Sequence, residues 1–275
     1  MIRFCIARFW LALVLTAGLV SGPAWAQTDI TGPSLEQLKR GERALVVGHL
    51  ADFPPFHYVG KDGKPSGMDR EIVLAVAKRL NIKKVEFRDV RFGGLKKSLA
   101  DGSIDMIANN FWSTPEREEQ LALTTPYYVK GGIGALWLKG KGPFKDLASL
   151  AGKRVSVIHG TYTESVVREQ VPTATVIPVD AQETVLETKL RDGEADVHLA
   201  YYTRLQFVMQ SKDDAKIFED ALIQPMKATF ALRRSETELR DAINQTLAAM
   251  WKDGSLKKIK KRHLLPLGIE PANHP

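Results

Sequence analysis

The chain has 275 residues, with 39 Lys and Arg against 32 Asp and Glu, a net charge of +7 and a single cysteine. Its 44% hydrophobic and 26% charged residues are those of an ordinary globular protein, which excludes a disordered chain, a collagen-like repeat and a disulfide scaffold. The length suits two domains, and where the positive charge sits matters more than its size.

The N-terminal stretch carries Arg3 and Arg8, then an apolar run from Phe9 to Val20, then Ala24-Trp25-Ala26. That is the pattern of a secretory signal with small-x-small residues before the cleavage point. The alternative, a membrane anchor, needs about 20 spanning residues, more than this run offers before polar Gln27-Thr28-Asp29. Residues 1–26 are therefore expected to be a cleaved signal, taking Cys5 with them and leaving an exported, soluble chain without disulfides. Export argues against a role on genomic DNA.

From Ala44 onward, strand-like and helix-like patterns alternate. Ala44–Gly48 reads as a strand, and Asp69–Leu80 as an amphipathic helix with Ile72, Val73, Val76, Ala77 and Leu80 at 3–4 spacing. Val85–Phe87 is strand-like, Leu95–Leu99 a short helix stopped at Asp101-Gly102, and Ile104–Ala108 a buried strand. Thr114-Pro115-Glu116 opens a helix with a Thr cap, Pro at the first position and an acid near the positive end. Ile133–Leu138 is a strand. The rhythm then repeats. Arg154–Ile158 is a strand, Thr161–Glu164 a capping box opening a helix, and Thr175–Pro178 another strand. A helix is expected from Asp180 with Val185, Leu186 and Leu190 inward, a strand over Ala195–Ala200, and a helix over Tyr202–Gln210. Lys227–Arg233 is a strand, and Ser235–Glu238 begins a long helix whose Leu239, Ile243, Leu247 and Trp251 share a face. This alternation predicts α/β layers with mostly parallel strands, which bind ligands beyond the strands' carboxyl ends.

The one dense basic cluster, Lys257-Lys258-Ile-Lys260-Lys261-Arg262, lacks the interleaved aromatics of a nucleic-acid footprint and reads as a solvated face of a terminal helix. There is no phosphate-cradling glycine loop, no nucleophile elbow and no paired metal-ligand spacing among the six His, so no cofactor or metal is expected. Nothing in these motifs asks for an enzyme.

Two segments carry chemistry. Asn109–Arg117 lies at a strand end and helix start, where the Arg117 fork is suited to grip a carboxylate with two charge-assisted hydrogen bonds. The competing reading pairs Arg117 with Glu116 or Glu118 on the surface. His159–Glu164 repeats the strand, glycine turn and capped helix, which alone is a good helix cap. Two such starts are placed to close on one small anion from both sides.

Several ordered segments resemble the bacterial extracellular solute-binding proteins of family 3, the receptors of polar amino-acid ABC transporters. They include Gly48-x-x-x-Asp52-Phe-Pro-Pro-Phe56, Gly67-Met-Asp69, Leu95-x-x-x-Leu99-x-x-Gly102-x-Ile-Asp105, Thr114-Pro-Glu-Arg117, Thr125-Pro-Tyr-Tyr128, Gly160-Thr161, Gly193-x-Ala-Asp196 and Trp251-x-Asp-Gly254. The resemblance implies a periplasmic-binding-protein-like α/β fold of type II, with two lobes joined by two crossing hinge strands and a ligand cleft between them. It implies lobe 1 over residues 27–130 and 226–275 and lobe 2 over 131–225, with crossings near Tyr128–Gly132 and Gln224–Ala228. It further implies a monomer in the periplasm that binds no nucleic acid and delivers a small carboxylate or amino-acid-like ligand to an ABC permease.

Carried over by position, Phe53 and Phe92 correspond to the aromatic walls of the cleft, Asn109, Asn110 and Trp112 to its lobe 1 lining, and Arg117 to the carboxylate clamp. Thr161 and Tyr162 are implied to meet the same carboxylate from lobe 2. The chain departs from the family at Tyr201, where an Asp usually holds the ammonium, at Trp112, where a small hydroxyl residue is usual, and at Leu50. Burying an ammonium without a counter-charge is costly, so either Asp52 or Glu164 supplies one, or the ligand lacks an ammonium. An exported dehydratase-like enzyme and a sensing module without a permease are the alternatives that the same resemblance leaves open.

Overall fold

The computed structural model describes residues 30–129, 132–180, 189–210, 214–217 and 227–271. The expected signal (1–26), most of the helix expected from Asp180, and parts of both expected crossings lie outside the described residues.

The strands are β1 (Leu45–His49), β2 (Tyr58–Val59), β3 (Pro65–Ser66), β4 (Val85–Asp89), β5 (Met106–Trp112), β6 (Leu121–Leu123), β7 (Tyr128–Val129), β8 (Ile133–Leu138), β9 (Arg154–Ile158), β10 (Thr175–Val179), β11 (Val197–Tyr201), β12 (Ala215–Ile217) and β13 (Lys227–Arg233). The helices are α1 (Leu35–Arg40), α2 (Met68–Arg79), α3 (Leu95–Ala100), α4 (Pro115–Gln120), α5 (Tyr162–Gln170), α6 (Tyr202–Met209), α7 (Thr237–Lys252) and α8 (Ser255–Leu264).

Two sheets organise the chain. Lobe 1 has the order β4-β1-β5-β13-β6 with β7 on β13, and lobe 2 has β10-β9-β11-β8-β12. The two orders are equivalent, although the halves share no evident sequence repeat. In each sheet all strands but one point the same way, and the reversed strand is β13 in lobe 1 and β8 in lobe 2. Each sheet is thus mixed only through its one reversed strand, and the other strands share a direction as expected. The physical reason is connectivity: β8 and β13 are the strands that enter each lobe from the other one. Next to the crossings, β7 and β13 pair antiparallel through Val129↔Lys227 and Tyr128↔Ala228.

β5 is buried along its whole length because it is central and covered on both faces. It runs to Trp112, past the Ala108 expected from apolar pattern alone. The polar Asn109 and Asn110 stay in the strand because its pairing is irregular there. Ile107 faces Ala231 but Phe111 faces Thr229, a bulge, and Asn110 takes a left-handed φ of 47°. Asn tolerates that region better than other side-chain-bearing residues, and a bulge re-aims the side chains beside it.

Other helices form as patterned. α2 buries Ile72, Val73, Val76 and Ala77, and α7 buries Leu239, Ile243, Leu247 and Met250. The basic helix α8 is not wholly solvated: Lys260 is 1% exposed, its ammonium 3.7 Å from the Trp251 ring centre, and burial lowers its pKa to about 8. Cation–π attraction and the long aliphatic stem make that burial tolerable.

One device recurs in both lobes. Asp105, just before β5, accepts the Val46 N–H at 3.0 Å and donates its own N–H to Val46 C=O at 2.7 Å. Asp196, just before β11, does the same with Arg154, at 2.9 and 2.8 Å. Each aspartate fixes the start of the central strand against its parallel neighbour. Asp105 is also ion-paired with buried Arg233 at 3.1 Å, whereas Asp196 meets Arg154 at the surface. Removing one partner of a buried pair costs about 3–5 kcal/mol, and an exposed pair contributes far less. Asp105→Ala should therefore lower the urea midpoint by the equivalent of about 3 kcal/mol, the low end because Glu236 remains 3.5 Å from Arg233. Asp196→Ala should shift it much less. Equal midpoint shifts for the two would contradict this.

Candidate ligand-binding cleft

On lobe 1 the site is built where β5 turns into α4. The Thr114 hydroxyl accepts the Arg117 N–H at 3.3 Å and Pro115 takes the first helical position, as the sequence pattern predicts. This short turn folds Arg117 back on the strand: its Nη1 donates to Trp112 C=O at 2.7 Å and its guanidinium lies 4.0 Å over the Phe111 ring. Arg117 is 7% exposed, and among the described residues no acidic side chain pairs with it. The surface-pair reading is therefore wrong, since Glu116 goes to Lys96 at 3.0 Å and Glu118 to the Ser113 hydroxyl. Burial lowers the Arg117 pKa, opposed by the Tyr201 and Glu116 groups.

Asn109 and Asn110 hold the bulge rather than only lining it. Asn109 Oδ1 accepts the Leu50 N–H at 3.1 Å, and the Asn110 N–H donates to Asp69 at 2.5 Å. Among the described residues, Asn109 Nδ2 and Asn110 Oδ1 are buried without a hydrogen-bond partner. Asp69 is fully buried at the start of α2, and desolvation raises its pKa to about 7, against the opposing Asn110 N–H and Tyr127 hydroxyl.

On lobe 2 the β9–α5 junction repeats the design with a change. Thr161 caps α5, its hydroxyl accepting the Glu164 N–H at 3.4 Å and donating to Ile158 C=O at 2.7 Å. The expected capping box is only half formed, because Glu164 turns to the Gly160 N–H at 2.8 Å. Glu164 also receives Arg168 at 2.8 Å and His159 Nδ1 at 3.2 Å, so it is committed locally and unsuited to serve as a counter-charge for a ligand ammonium. The Thr161 hydroxyl is likewise occupied, which leaves the N–H groups at the start of α5 as its polar offer.

The lobes meet through rings. Trp112 and Tyr201 lie 3.9 Å apart between centres, Phe53 meets Tyr201 edge-on at 5.7 Å, and Tyr162 approaches Trp112 at 6.4 Å. Phe92 stacks on Phe111 at 6.2 Å, beneath the Arg117 guanidinium. Arg204, at the start of α6, sits 4.9 Å over the Phe53 ring and donates to Asp52 C=O at 3.3 Å. Gly93 and Gly160 bring backbones together, since a Cβ on Gly160, whose φ is 75°, would stand 2.7 Å from Gly93 Cα. An Arg91–Asp180 ion pair closes the rim.

The structure thus brings Phe53, Phe92, Asn109, Asn110, Trp112, Arg117, Thr161, Tyr162 and Tyr201 to one region, with Asp52 exposed beside it. Sequence reasoning gave Phe111, Asp69 and Arg204 no role in the cleft and missed the Gly93–Gly160 contact. Phe111 reads as core from its strand, and Arg204 stands in an otherwise amphipathic helix. Outside the cleft, His49 and His57 stack at 4.3 Å beside a groove of about 380 Å³. Among the described residues there is no group of three or more His, Cys, Asp or Glu able to hold a metal, and no helix is long and apolar enough to cross a membrane.

Comparison with known proteins matches residues 45–266 to the bacterial extracellular solute-binding proteins, family 3. The L-cystine-binding protein TcyJ of Escherichia coli K12 is 30% identical over 259 residues, 94% of this chain and 95% of that protein. Among solved structures, the solute receptor for L-cysteine of Neisseria gonorrhoeae superposes with a TM-score of 0.78 at 28% identity, covering 86% of this chain and 95% of that one. An ancestral amino-acid-binding protein, AncCDT-1, a precursor of cyclohexadienyl dehydratase, superposes with a TM-score of 0.75 at 26% identity, covering 84% and 100%.

Two outcomes follow from this geometry. Gly160→Ala adds a Cβ where the lobes touch and should hold them apart, lowering ligand affinity and raising the radius of gyration in X-ray scattering. The left-handed φ adds a stability loss of about 1 kcal/mol. Asp69 binds a proton more tightly when folded, because its pKa rises from 3.8 to about 7. The stabilisation of that protonated form is complete below about pH 4 and is lost as pH rises through 7. Asp69→Asn should flatten the fall in urea midpoint between pH 5 and 8 and equal or exceed the native protein at pH 8.

Proposed function

This chain belongs to the bacterial extracellular solute-binding proteins of family 3, and from that premise we propose that it is a periplasmic receptor for a small carboxylate of the amino-acid type, serving an ABC importer. The observation that carries this reading is Arg117, a buried guanidinium with no acidic partner among the described residues, facing the ring contacts between two lobes. A buried cation without a counter-charge is expensive, and a ligand carboxylate bound to its fork by two hydrogen bonds supplies that charge. The α5 start adds N–H donors and a positive field from the second lobe. Relatives named for L-cystine and L-cysteine favour a ligand of the amino-acid class.

Closure follows from differential affinity. A ligand that touches Arg117 on lobe 1 and the α5 start on lobe 2 binds the closed arrangement better and shifts the population towards it. In this reading the hinge lies at the crossings near 130 and 226, and the mature chain divides into lobe 1 at 27–130 and 226–275 and lobe 2 at 131–225. The closed shape is what a permease would read. A signal at 1–26 would bring the chain to the periplasm.

Likeness to a precursor of a dehydratase keeps an enzyme in view. General acid–base catalysis needs a group that titrates near the working pH. Tyr201, buried beside Arg117, has its hydroxyl pushed up to about 12 by desolvation, and Asp69, the group near 7, is fully buried and taken up by the Asn110 N–H, which suits a receptor better.

A thermal-shift screen of amino acids and small carboxylates on the mature chain, followed by calorimetry, tests the reading. A ligand should raise Tm with concentration and be recovered unchanged after incubation. Arg117→Gln should weaken it about 30-fold or more, and Arg117→Lys should recover only part, since lysine lacks the planar fork. Unaltered affinity in Arg117→Gln would overturn the clamp.

A further inference from the structure

We infer that Trp112 and Tyr201 form a clasp that keeps the two lobes closed on each other before any ligand arrives, which makes both of them positioning residues for capture. The inference needs the two-lobed fold but no particular ligand, so it stands or falls apart from the receptor reading above. Trp112 ends β5, the central strand of the lobe 1 sheet, and Tyr201 ends β11, the central strand of the lobe 2 sheet. Their rings lie 3.9 Å apart between centres and are inclined by 30°, the closest ring pair among the described residues. They are 2% and 3% exposed, although they lie between the lobes rather than inside one.

Each ring of the pair also has a second aromatic neighbour from the opposite lobe. Phe53 meets the edge of Tyr201 at 5.7 Å, and Tyr162 approaches Trp112 at 6.4 Å. One hydrophobic cluster therefore runs from Val47 and Ile107 in lobe 1 through Trp112 and Tyr201 to Val157 and Leu199 in lobe 2. Domains that move readily past each other are joined by smaller and more polar surfaces. Opening this cleft would part a ring stack and give Trp112, Tyr201 and Phe53 to water, and both changes are unfavourable. The clasp also bears on the clamp, because Arg117 Nη1 donates to the Trp112 C=O at 2.7 Å, so the residue that closes the lobes orients the guanidinium as well. With the closed arrangement populated in advance, a ligand loses little affinity to a scarce closed state, and its entry waits for the rings to part.

Residues 27–275 contain no cysteine. One cysteine on each lobe, Lys97→Cys on α3 and Glu169→Cys on α5, both at exposed positions, then carries a donor and an acceptor dye for single-molecule energy transfer. The labelled mature chain is unfolded and refolded to strip bound solutes and is measured without ligand. The expected result is a closed, high-transfer population larger than the open one. Trp112→Ser and Tyr201→Ser should each lower the closed-to-open ratio about fivefold or more, and the double variant should fall less than about twofold further, because either change removes the same contact. Tyr201→Phe keeps the ring and drops a hydroxyl that has no hydrogen-bond partner among the described residues, and it should leave the ratio as it is. Urea midpoints identify any variant that fails to fold, and the parent's closed fraction and the remaining variants then decide. A parent that is mainly open overturns the inference, as does a smaller loss in either Ser variant or losses that multiply in the double variant. None of these results touches the receptor reading, which is tested by ligand binding through Arg117.

Discussion

The cleft depends on one desolvated charge. Arg117 is drawn out of water by the Thr114-Pro115 helix start, which folds it back over Phe111 and onto the Trp112 carbonyl. One carbonyl and a ring face compensate only part of a buried guanidinium's lost hydration. The neighbouring acids do not meet it: Glu116 goes to Lys96 and Glu118 to Ser113, while the ring of Tyr201, from the other lobe, lies against Trp112. A site left positive in a low-dielectric crevice is a site prepared for an anion.

Holding that crevice in register falls to elements outside it. The bulge at Asn109 and Asn110 lies where β13, coming from the other lobe, pairs antiparallel with β5 out of register. Asp69 then fastens the bulge from below by taking the Asn110 N–H. Asp105 and Asp196 pin the central strands of the two sheets in the same manner, so both lobes present a strand end and a capped helix towards the cleft. The repetition is of geometry; the residues around each aspartate differ, Arg233 inside one lobe and Arg154 on the surface of the other.

What was legible along the chain was what local chemistry decides. The cap at Thr114 and Pro115, the apolar stripe of α2 and the strand Arg154–Ile158 follow from spacing and residue type, and the structure has them. The expected capping box at Thr161 failed in its second half because Glu164 found better donors in Gly160 N–H and Arg168. Lys260 joined no solvated face because Trp251, from the preceding helix, lies over it. In both cases the competing partner could not be seen from the local pattern.

The sequence by itself determined most of the longer elements and their order, the family resemblance and a single arginine at a helix start, since these rest on periodicity, capping chemistry and linear spacing. Only the tertiary structure decided which groups share the cleft. Phe53 and Tyr201 are 148 positions apart in the numbering and touch edge to ring. Arg204 becomes a cleft residue only because α6 carries it over Phe53, and Glu164 ceases to be one because its oxygens are filled within its own lobe. Charge in a folded protein is set by burial and by partners brought from afar, and neither is a property of a position in a chain.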